Sequence, residues 1–292
     1  MMSSFKTTGR LVTCAALLIL GSGLAATSWS QGQDDDAGER TDSEPLTTSA
    51  DSLEEPLAAL HYGRIAANAD AEGIETLIGK GTDKVWACAS CHGDQGQGAE
   101  TVPRLAGLPA GYLTKQLHDY ANQRRLNANM QYVVEGLTDE QMAALGKYYA
   151  QLESPGSAKP SLSGDLDRGR ELVLRGDWSI DVPACYSCHG SSGWGVGQAF
   201  PALAAQHPSY TYIQLASWKN GRRANSPVNL MHNVATALSE NDMRSVADYL
   251  ASLPAPPAQK IGLDTPPPEA LSTSTDTADR SQDRQQGSDE HD

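Results

Sequence analysis

The same short motif occurs twice in this chain, as Cys88-Ala89-Ser90-Cys91-His92 and as Cys185-Tyr186-Ser187-Cys188-His189. C-x-x-C-H is the attachment signature of c-type haem. Two cysteines on one helical turn can each form a thioether with a haem vinyl group, while the next residue presents an imidazole to the iron. The motifs therefore predict two covalently bound haems c, attached through the four cysteines, with His92 and His189 as iron ligands.

C-x-x-C pairs also occur in zinc sites and thiol redox centres. Two such pairs could supply the four thiolate ligands of one zinc ion. Against this, a histidine directly follows each pair, and zinc ribbons place their pairs much closer than the 97 residues found here. A thioredoxin-like centre would require a βαβ pattern, which the sequence lacks. We favour haem attachment, with zinc or dithiol chemistry as the alternative.

The similarity between the two halves of the chain extends well beyond these motifs. Upstream, Gly73-Ile74-Glu75 matches Gly169-Arg170-Glu171. Downstream, the matching pairs are Pro103 with Pro201, Tyr112 with Tyr210, Gln116-Leu117 with Gln214-Leu215, Arg124-Arg125 with Arg222-Arg223 and, after a three-residue insertion, Met130 with Met231 and Met142 with Met243. Duplication of one domain explains this order of matches.

Each repeat ends in a predicted helix. Thr138 and Ser239 are its predicted N-caps, and Gln141 completes a capping box in the first copy. Apolar residues follow on one helical face, at Met142, Leu145, Tyr149 and Leu152 in the first copy and at Met243, Val246, Leu250 and Leu253 in the second. We predict an all-α fold with domains at residues 58–154 and 166–254, joined by a linker at residues 155–165.

The formal net charge of −14 lies mostly outside the repeats. Residues 31–60 contain nine acidic residues and one basic residue, and residues 264–292 contain eight acidic and two basic residues. Both stretches lack the apolar content needed to fold, so we predict acidic disordered segments at residues 31–57 and 255–292. Such segments argue against nucleic-acid binding.

Residues 1–30 have the features of a secretory signal peptide. Lys6 and Arg10 precede an apolar run, and small residues follow it. The run is shorter than the about 20 residues that a membrane-spanning helix prefers. We therefore expect cleavage and a periplasmic protein, with an uncleaved membrane anchor as the alternative.

The second iron ligand decides the chemistry of a histidine-bound haem. An iron that only passes electrons needs both axial positions filled, and Met130 and Met231 lie in predicted loops just before the last helices. We predict that these two methionines are ligands, and that Met142 and Met243 pack in the core. His232, which follows Met231, is an alternative ligand for the second iron, although we interpret it as a surface histidine.

Further residues are candidates for the surroundings of the haems. A metal-bound histidine usually donates its other ring N–H to a carbonyl, and Pro103 and Pro201 are placed to accept it. The four arginines of the double-arginine motifs, Arg124, Arg125, Arg222 and Arg223, are candidates to bind haem propionates, with an ordinary surface position as the alternative. Tyr112, Tyr120, Tyr210 and Trp218 are candidates for the haem edges, or for simple packing.

Together these residues resemble the dihaem cytochrome c4 family of bacterial periplasms, over about residues 58–253. The resemblance implies two tandem class I cytochrome c domains related by a pseudo-twofold axis, with His92–Met130 and His189–Met231 as axial pairs. It also implies an electron carrier rather than an enzyme. Its partners would be a membrane quinol-oxidising complex or a dehydrogenase as donor and a terminal oxidase as acceptor.

Two other functions stay open at this point. The chain could be the cytochrome subunit of a periplasmic dehydrogenase complex. It could also be a dihaem peroxidase, although a peroxidase needs one iron with a displaceable ligand, and the symmetrical methionines argue against that.

Overall fold

The computed structural model describes residues 55–259. The predicted signal peptide at residues 1–30 and most of the predicted acidic segments lie outside this range. Among the described residues, no helix has the length and apolar character needed to cross a membrane.

The first repeat is helical. Its elements are α1 (Glu55–Asn68), α2 (Ile74–Lys80), α3 (Ala89–His92), α4 (Ala110–Ala121), α5 (Ala128–Glu135) and α6 (Asp139–Gln151). Helix α4 packs between α1 and α6. The close approach of α1 depends on Gly111, because a Cβ at this position would collide with the Ala59 carbonyl. The core of this domain includes Leu77, Val85 and Leu145, which are all buried.

The helices that follow α1 in the first repeat recur in the same order in the second repeat. Its elements are α7 (Leu166–Leu174), β1 (Gly176–Asp177), β2 (Val182–Pro183), α8 (Tyr186–His189), α9 (Pro208–Lys219), α10 (Leu230–Ala237) and α11 (Glu240–Ala251). The two short strands pair antiparallel, with Gly176 opposite Pro183. Helix α7 packs along α11, and the core includes Leu172, Val182 and Leu250. The all-α prediction holds apart from this two-stranded ribbon.

The predicted caps of the last helices are confirmed. The Thr138 hydroxyl accepts from the Gln141 N–H at 3.2 Å, and the Gln141 side chain accepts from the Thr138 N–H at 3.0 Å. In the second domain the same two bonds join Ser239 and Asp242, at 3.1 and 3.2 Å. Each capping box satisfies two N–H groups at the start of its helix.

The edges of the fold differ from the predicted boundaries. Helix α1 begins at Glu55, so residues 55–57, which we expected to belong to a disordered segment, are helical. At the other end, residues 255–259 turn back to the first domain. The Gln259 N–H donates to the Ala150 carbonyl at 2.8 Å, and its side chain donates to the Gly107 carbonyl at 3.1 Å. The partners are backbone carbonyls, which residue identity does not signal.

Candidate haem sites

Both C-x-x-C-H motifs form a single helical turn, α3 in the first domain and α8 in the second. The first cysteine of each motif occupies the N-cap position, and the histidine is the last helical residue. Gly93 and Gly190 then leave the turn at φ values of 78° and 82°, which favour glycine. Within residues 55–259, none of the four motif cysteines forms a disulfide, so all four sulfur atoms are available for thioether bonds. Burial raises the pKa of Cys88, and raises that of Cys185 to about 11.

The two motifs lie in separate domains. Within residues 55–259, no three Cys, His, Asp or Glu side chains come together as a metal-binding group. The two C-x-x-C pairs therefore do not form the four-thiolate zinc site that the sequence left open, and each pair must be considered with its own histidine.

The motif histidines are buried and oriented by a proline carbonyl. His92 Nδ1 lies 3.0 Å from the Pro103 oxygen, and His189 Nδ1 lies 2.8 Å from the Pro201 oxygen. Burial lowers the pKa of both imidazoles, although the hydrogen bond to the carbonyl opposes this shift. A neutral ring that donates its Nδ1–H to a carbonyl leaves the Nε2 lone pair for a metal. This arrangement fits an axial haem ligand in both domains.

A cavity of about 510 Å³ lies beside the first motif. Cys88, Cys91, His92 and Met130 all line it, together with largely apolar side chains such as Leu145. The volume lies within the about 300–1,000 Å³ typical of cofactor sites. The Tyr149 hydroxyl, from a residue that also lines this cavity, is buried next to the Cys88 thiol. Thiols, imidazole and thioether around one apolar cavity fit a covalently bound haem.

The candidate methionine ligands are helical, not in loops as the sequence suggested. Met130 is the third residue of α5, and Met231 is the second residue of α10. Both are half-buried, and Met130 lines the first cavity. Met142 and Met243 lie on the last helices and are buried in the apolar core, as expected.

His232 is not a simple surface histidine. Its ring is half-buried, and Nδ1 lies 2.8 Å from the Trp218 carbonyl at the end of α9. This contact ties α10 to α9 and gives the imidazole a structural role.

The four arginines of the repeat form two classes. Arg125 and Arg223 are buried, with 5% and 4% of their surface exposed, whereas Arg124 and Arg222 are exposed. Arg125, Arg222 and Arg223 line the first cavity, and Arg124 is not among its lining residues. The sequence had treated all four alike.

The two buried arginines connect the domains reciprocally. Arg125 donates to the Tyr210 hydroxyl at 2.7 Å and to the Gln214 side chain at 2.8 Å. Arg223 donates in the same way to the Tyr112 hydroxyl at 3.2 Å and to the Gln116 side chain at 2.9 Å. The exchange relates the two domains by a pseudo-twofold operation and places Tyr112 and Tyr210 at the interface.

Further contacts of the arginines follow the same symmetry. Arg125 stacks over the Tyr120 ring at 4.7 Å, and Arg223 stacks over the Trp218 ring at 3.9 Å. These distances are typical of cation–π pairs. The backbones of Arg125 and Arg223 also form an antiparallel bridge. The repeated aromatic and arginine residues therefore build the interface between domains as well as the edge of the first cavity.

Sequence analysis missed a second group of buried polar residues, of which only Asn225 has an identical residue, Asn127, at the matching position of the other repeat. This group includes Arg104, Lys115, Asp119, Gln206, His207 and Asn225. Gln206 and Arg104 exchange hydrogen bonds across the interface, and His207 Nε2 lies 2.9 Å from the Gln97 carbonyl. A signal was available for one pair, since Lys115 and Asp119 have the i, i+4 spacing of a helical ion pair.

Comparison with known proteins agrees with this geometry. The sequence profile of the family described as cytochrome c matches residues 80–153 and 167–254. The thiosulfate dehydrogenase electron acceptor of Stutzerimonas stutzeri (strain A1501) is 39% identical over 200 residues, which cover 68% of this chain and 92% of that protein. Cytochrome c4 of Thiocapsa roseopersicina is 40% identical over 171 residues, which cover 57% of this chain and 86% of that protein.

Two solved structures resemble the fold. Reduced recombinant cytochrome c4 from Pseudomonas stutzeri has a TM-score of 0.56 at 30% identity, covering 63% of this chain and 99% of that chain. Thiosulfate dehydrogenase (TsdBA) from Marichromatium purpuratum has a TM-score of 0.61 at 38% identity, covering 63% of this chain but only 40% of that chain. The chain therefore belongs to the cytochrome c family and, within it, to the dihaem electron-transfer cytochromes of the cytochrome c4 type.

Proposed function

We propose that this protein passes electrons between redox proteins through two covalently bound haems c. In this proposal His92 and Met130 are the axial ligands in the first domain, and His189 and Met231 are those in the second. The domains extend over residues 58–154 and 166–254, with residues 155–165 between them. The protein is an electron carrier and not itself an enzyme, and it acts with redox partner proteins.

One observation carries the proposal. Each domain presents two cysteines on one helical turn, a buried imidazole whose Nδ1–H donates to a proline carbonyl, and a methionine at the start of a short helix. The repetition of the whole set in both domains argues for two haems with the same type of ligation.

A haem with histidine and methionine ligands supplies a one-electron couple, and the thioether raises its potential relative to two histidines. The protein supplies attachment, orientation and exclusion of water. The cysteines tether the group, and the carbonyls of Pro103 and Pro201 keep the ligating nitrogens of the histidines unprotonated. Arg125, Arg222 and Arg223 line the first cavity and offer guanidinium donors to haem propionates. The exposed Arg124 is the weaker candidate for this role.

Ligation can be tested by near-infrared absorption during a redox titration. We expect a methionine-to-iron charge-transfer band from both haems of the oxidised protein, and no reaction with peroxide. Met231→Ala should remove the part of the band that the second haem contributes and leave the first. A five-coordinate haem that reacts with peroxide in the unmodified protein would contradict the carrier and favour a peroxidase.

The relatives favour one electron donor. Two proteins named thiosulfate dehydrogenase electron acceptor match at 41% and 39% identity, and a dehydrogenase structure contains a region of similar fold. We propose that a thiosulfate dehydrogenase reduces this protein. A quinol-oxidising membrane complex is the second candidate donor, and a terminal oxidase is the proposed acceptor.

Stopped-flow reduction distinguishes these donors. The oxidised protein is mixed with a thiosulfate dehydrogenase and thiosulfate, and reduction is followed at the haem absorption bands. We expect reduction only when enzyme and substrate are both present. Reduction by a quinol-oxidising complex with quinol, but not by this mixture, would favour the second donor.

We further propose that residues 1–30 direct the chain to the periplasm, where c-type haems are attached and both partners are accessible. The mass of the mature protein tests cleavage. A mass that includes residues 1–30, with the protein in the membrane fraction, would instead favour the uncleaved anchor.

A further inference from the structure

The two candidate methionine ligands are held in place differently. In the first domain, Asn127 is the N-cap of α5, and its side-chain oxygen accepts from the Met130 N–H at 3.1 Å. In the second domain, Asn229 is the N-cap residue of α10 and its side chain makes no capping bond. The Met231 N–H donates instead to the Ser226 hydroxyl at 3.0 Å. Met231 therefore depends on the connection that precedes its helix.

The connection between the double-arginine motif and the methionine is longer in the second domain than in the first, and two of its residues have positive φ. Seven residues separate Arg223 from Met231, whereas four separate Arg125 from Met130. Val228 has φ 45° and ψ 31°, and Asn229 follows with φ 56°. A β-branched residue with positive φ is an outlier that persists only when its surroundings hold it. Val228 is 90% exposed, so its own side chain does not supply this support.

The support comes from the first domain through Asn225. The Asn225 side-chain amide donates to the Asp119 carboxylate at 2.7 Å and to the Gln116 side chain at 2.8 Å. Its backbone carbonyl accepts from Lys115 Nζ at 3.3 Å. Asn225 is 5% exposed, so these bonds lie out of water and fix the start of the connection.

Lys115 and Asp119, the two charged residues that bind Asn225, form an ion pair with each other. Their charged atoms lie 2.7 Å apart on α4, and both side chains are buried. Because both side chains are buried, the hydrogen bonds that they make are electrostatically stronger than they would be in water. Asp119 therefore presents a fixed carboxylate oxygen to the amide of Asn225.

The reverse contact does not exist at the matching positions of the repeat. Asn127 is the repeat equivalent of Asn225, yet it is exposed and caps its own helix. The equivalents of Lys115 and Asp119 are Ile213 and Ser217, which cannot form an ion pair. The side-chain contact of Lys115 and Asp119 with Asn225 therefore has no equivalent in the reverse direction, from the second domain to Asn127.

We propose that Lys115, Asp119 and Asn225 are positioning residues for Met231, so that ligation of the second iron depends on the docking of the first domain. This inference rests on the proposed role of Met231 as a ligand. Met130 is supported more locally, because Asn127 caps α5 within its own domain, although the segment before it also contacts the second domain, where the Arg222 carbonyl accepts from the Leu126 N–H at 3.1 Å.

The test uses the full protein with both haems and follows each methionine ligand separately by NMR of the reduced state. Met130→Ala and Met231→Ala assign the two ligand methyl signals. The test variants are Asn225→Ala and the double variant Lys115→Ile/Asp119→Ser, which installs the residues of the other repeat and removes both members of the ion pair together. Asn127→Ala is the matched control, since it changes the same repeat position in the first domain.

We expect the Met231 signal of both test variants to be lost on warming well below the temperature at which circular dichroism reports unfolding, while the Met130 signal persists. The reduction potential of the second haem should fall as the thioether is lost. In Asn127→Ala the Met231 signal should be unchanged.

Other outcomes overturn the inference. A Met231 signal with wild-type persistence in both test variants would exclude a positioning role, as would a parallel loss of the Met130 and Met231 signals. If Met231→Ala changed no ligand signal, the ligand assignment itself would be wrong, and the positioning role would fail with it.

Discussion

The two domains carry opposite charges at the same position of their last helix. In the first domain, Lys147 Nζ donates to the carbonyls of Ala67 and Ala69, at 3.2 and 2.7 Å. In the second, Asp248 is buried and its carboxylate accepts from three backbone N–H groups of residues 161–164, at 2.8 to 3.1 Å. Lys147 therefore attaches the end of α1 to the last helix of the first domain, and Asp248 attaches residues 161–164 to the last helix of the second domain.

The two residues carry opposite charges because one segment presents backbone carbonyls to the last helix and the other presents backbone N–H groups. Lys147 meets the end of α1, where the last carbonyls of a helix lack partners along the chain. Asp248 meets the approach to α7, where N–H groups point toward α11. A lysine supplies donors and an aspartate supplies acceptors, so each charge matches its backbone partner. The duplicated helices kept their apolar face and diverged where they contact different segments.

The largest expected effect is the loss of Asp248. Asp248→Ala should lower the free energy of unfolding of the second domain by about 3 kcal/mol, because it removes the acceptor of three partly buried N–H groups. Hydrogen exchange under native conditions measures this at α7 and α11, and it avoids the assumption of two-state unfolding in a two-domain protein. Asp248→Asn keeps an acceptor and should lose about half as much. An equal loss of protection in α6 would contradict a local role.

The second prediction concerns the packing of α7 on α11. A Cβ at Gly169 would collide with the Ser245 carbonyl, which belongs to the backbone and cannot move aside easily. We expect Gly169→Ala to destabilise the second domain by about 2 kcal/mol. Gly79→Ala, in the corresponding helix α2, is the control, because nothing lies near its added Cβ. It should be neutral or stabilising by up to about 1 kcal/mol. Similar losses in both variants would show that the helix crossing is not tight.

These differences also explain what the sequence could predict. The cap residues Thr138 and Ser239 act on neighbours in the chain, and the motif cysteines and histidines have a fixed spacing, so local pattern was sufficient. The hydrogen bonds of the motif histidines to Pro103 and Pro201 were expected because both features recur. Features that act within a few residues could be predicted from the sequence, whereas the recurrence of Arg125 and Arg223 did not show that each binds the opposite domain.

The features that the sequence did not indicate depend mostly on contacts between residues that are distant in the chain. Several of these contacts occur in only one repeat. Asn225 and Asp119 are 106 residues apart, and neither the spacing nor the repeat indicates that they meet. Asp248 resembles a solvent-facing residue of an amphipathic helix until the linker is placed over it. The helical position of Met130 and Met231 was missed because α5 and α10 are too short for a clear periodic pattern.

The third prediction tests the first-domain counterpart of Asp248. Lys147→Met preserves the aliphatic stem and removes the ammonium, so it should weaken the packing of α1 by about 1.5 kcal/mol. Because Lys147 is only half-buried, water can partly replace it, and the effect should be smaller than that of Asp248→Ala. Hydrogen exchange in α1 measures the change. Unaltered protection of α1 would mean that the lysine contributes nothing to its attachment.

The fourth prediction compares the two capping boxes. Thr138→Ala should cost the first domain about 1 kcal/mol, the usual value for an N-cap. Ser239→Ala should cost less, about 0.5 kcal/mol, because Arg168 Nε donates to the Asp242 carboxylate at 2.8 Å and keeps it beside the helix start. Exchange of the first-turn amides of α6 and α11 measures both. Equal losses would show that Arg168 does not support the second box.

The smallest effect is a pH dependence that only the second box should show. Burial acts to raise the pKa of Asp242, but hydrogen bonds from Ser239 and Arg168 outweigh it and hold that pKa below its usual value. A folded-state pKa below the unfolded value of about 3.9 means that this stabilisation is complete above that pH and is lost as the pH falls through the folded-state pKa. Gln141 occupies the same place in the first box and does not titrate. An NMR titration should therefore move the Asp242 amide signal in acid and leave that of Gln141 in place, and matching shifts at both would mean that the acid response is global rather than a property of the second cap.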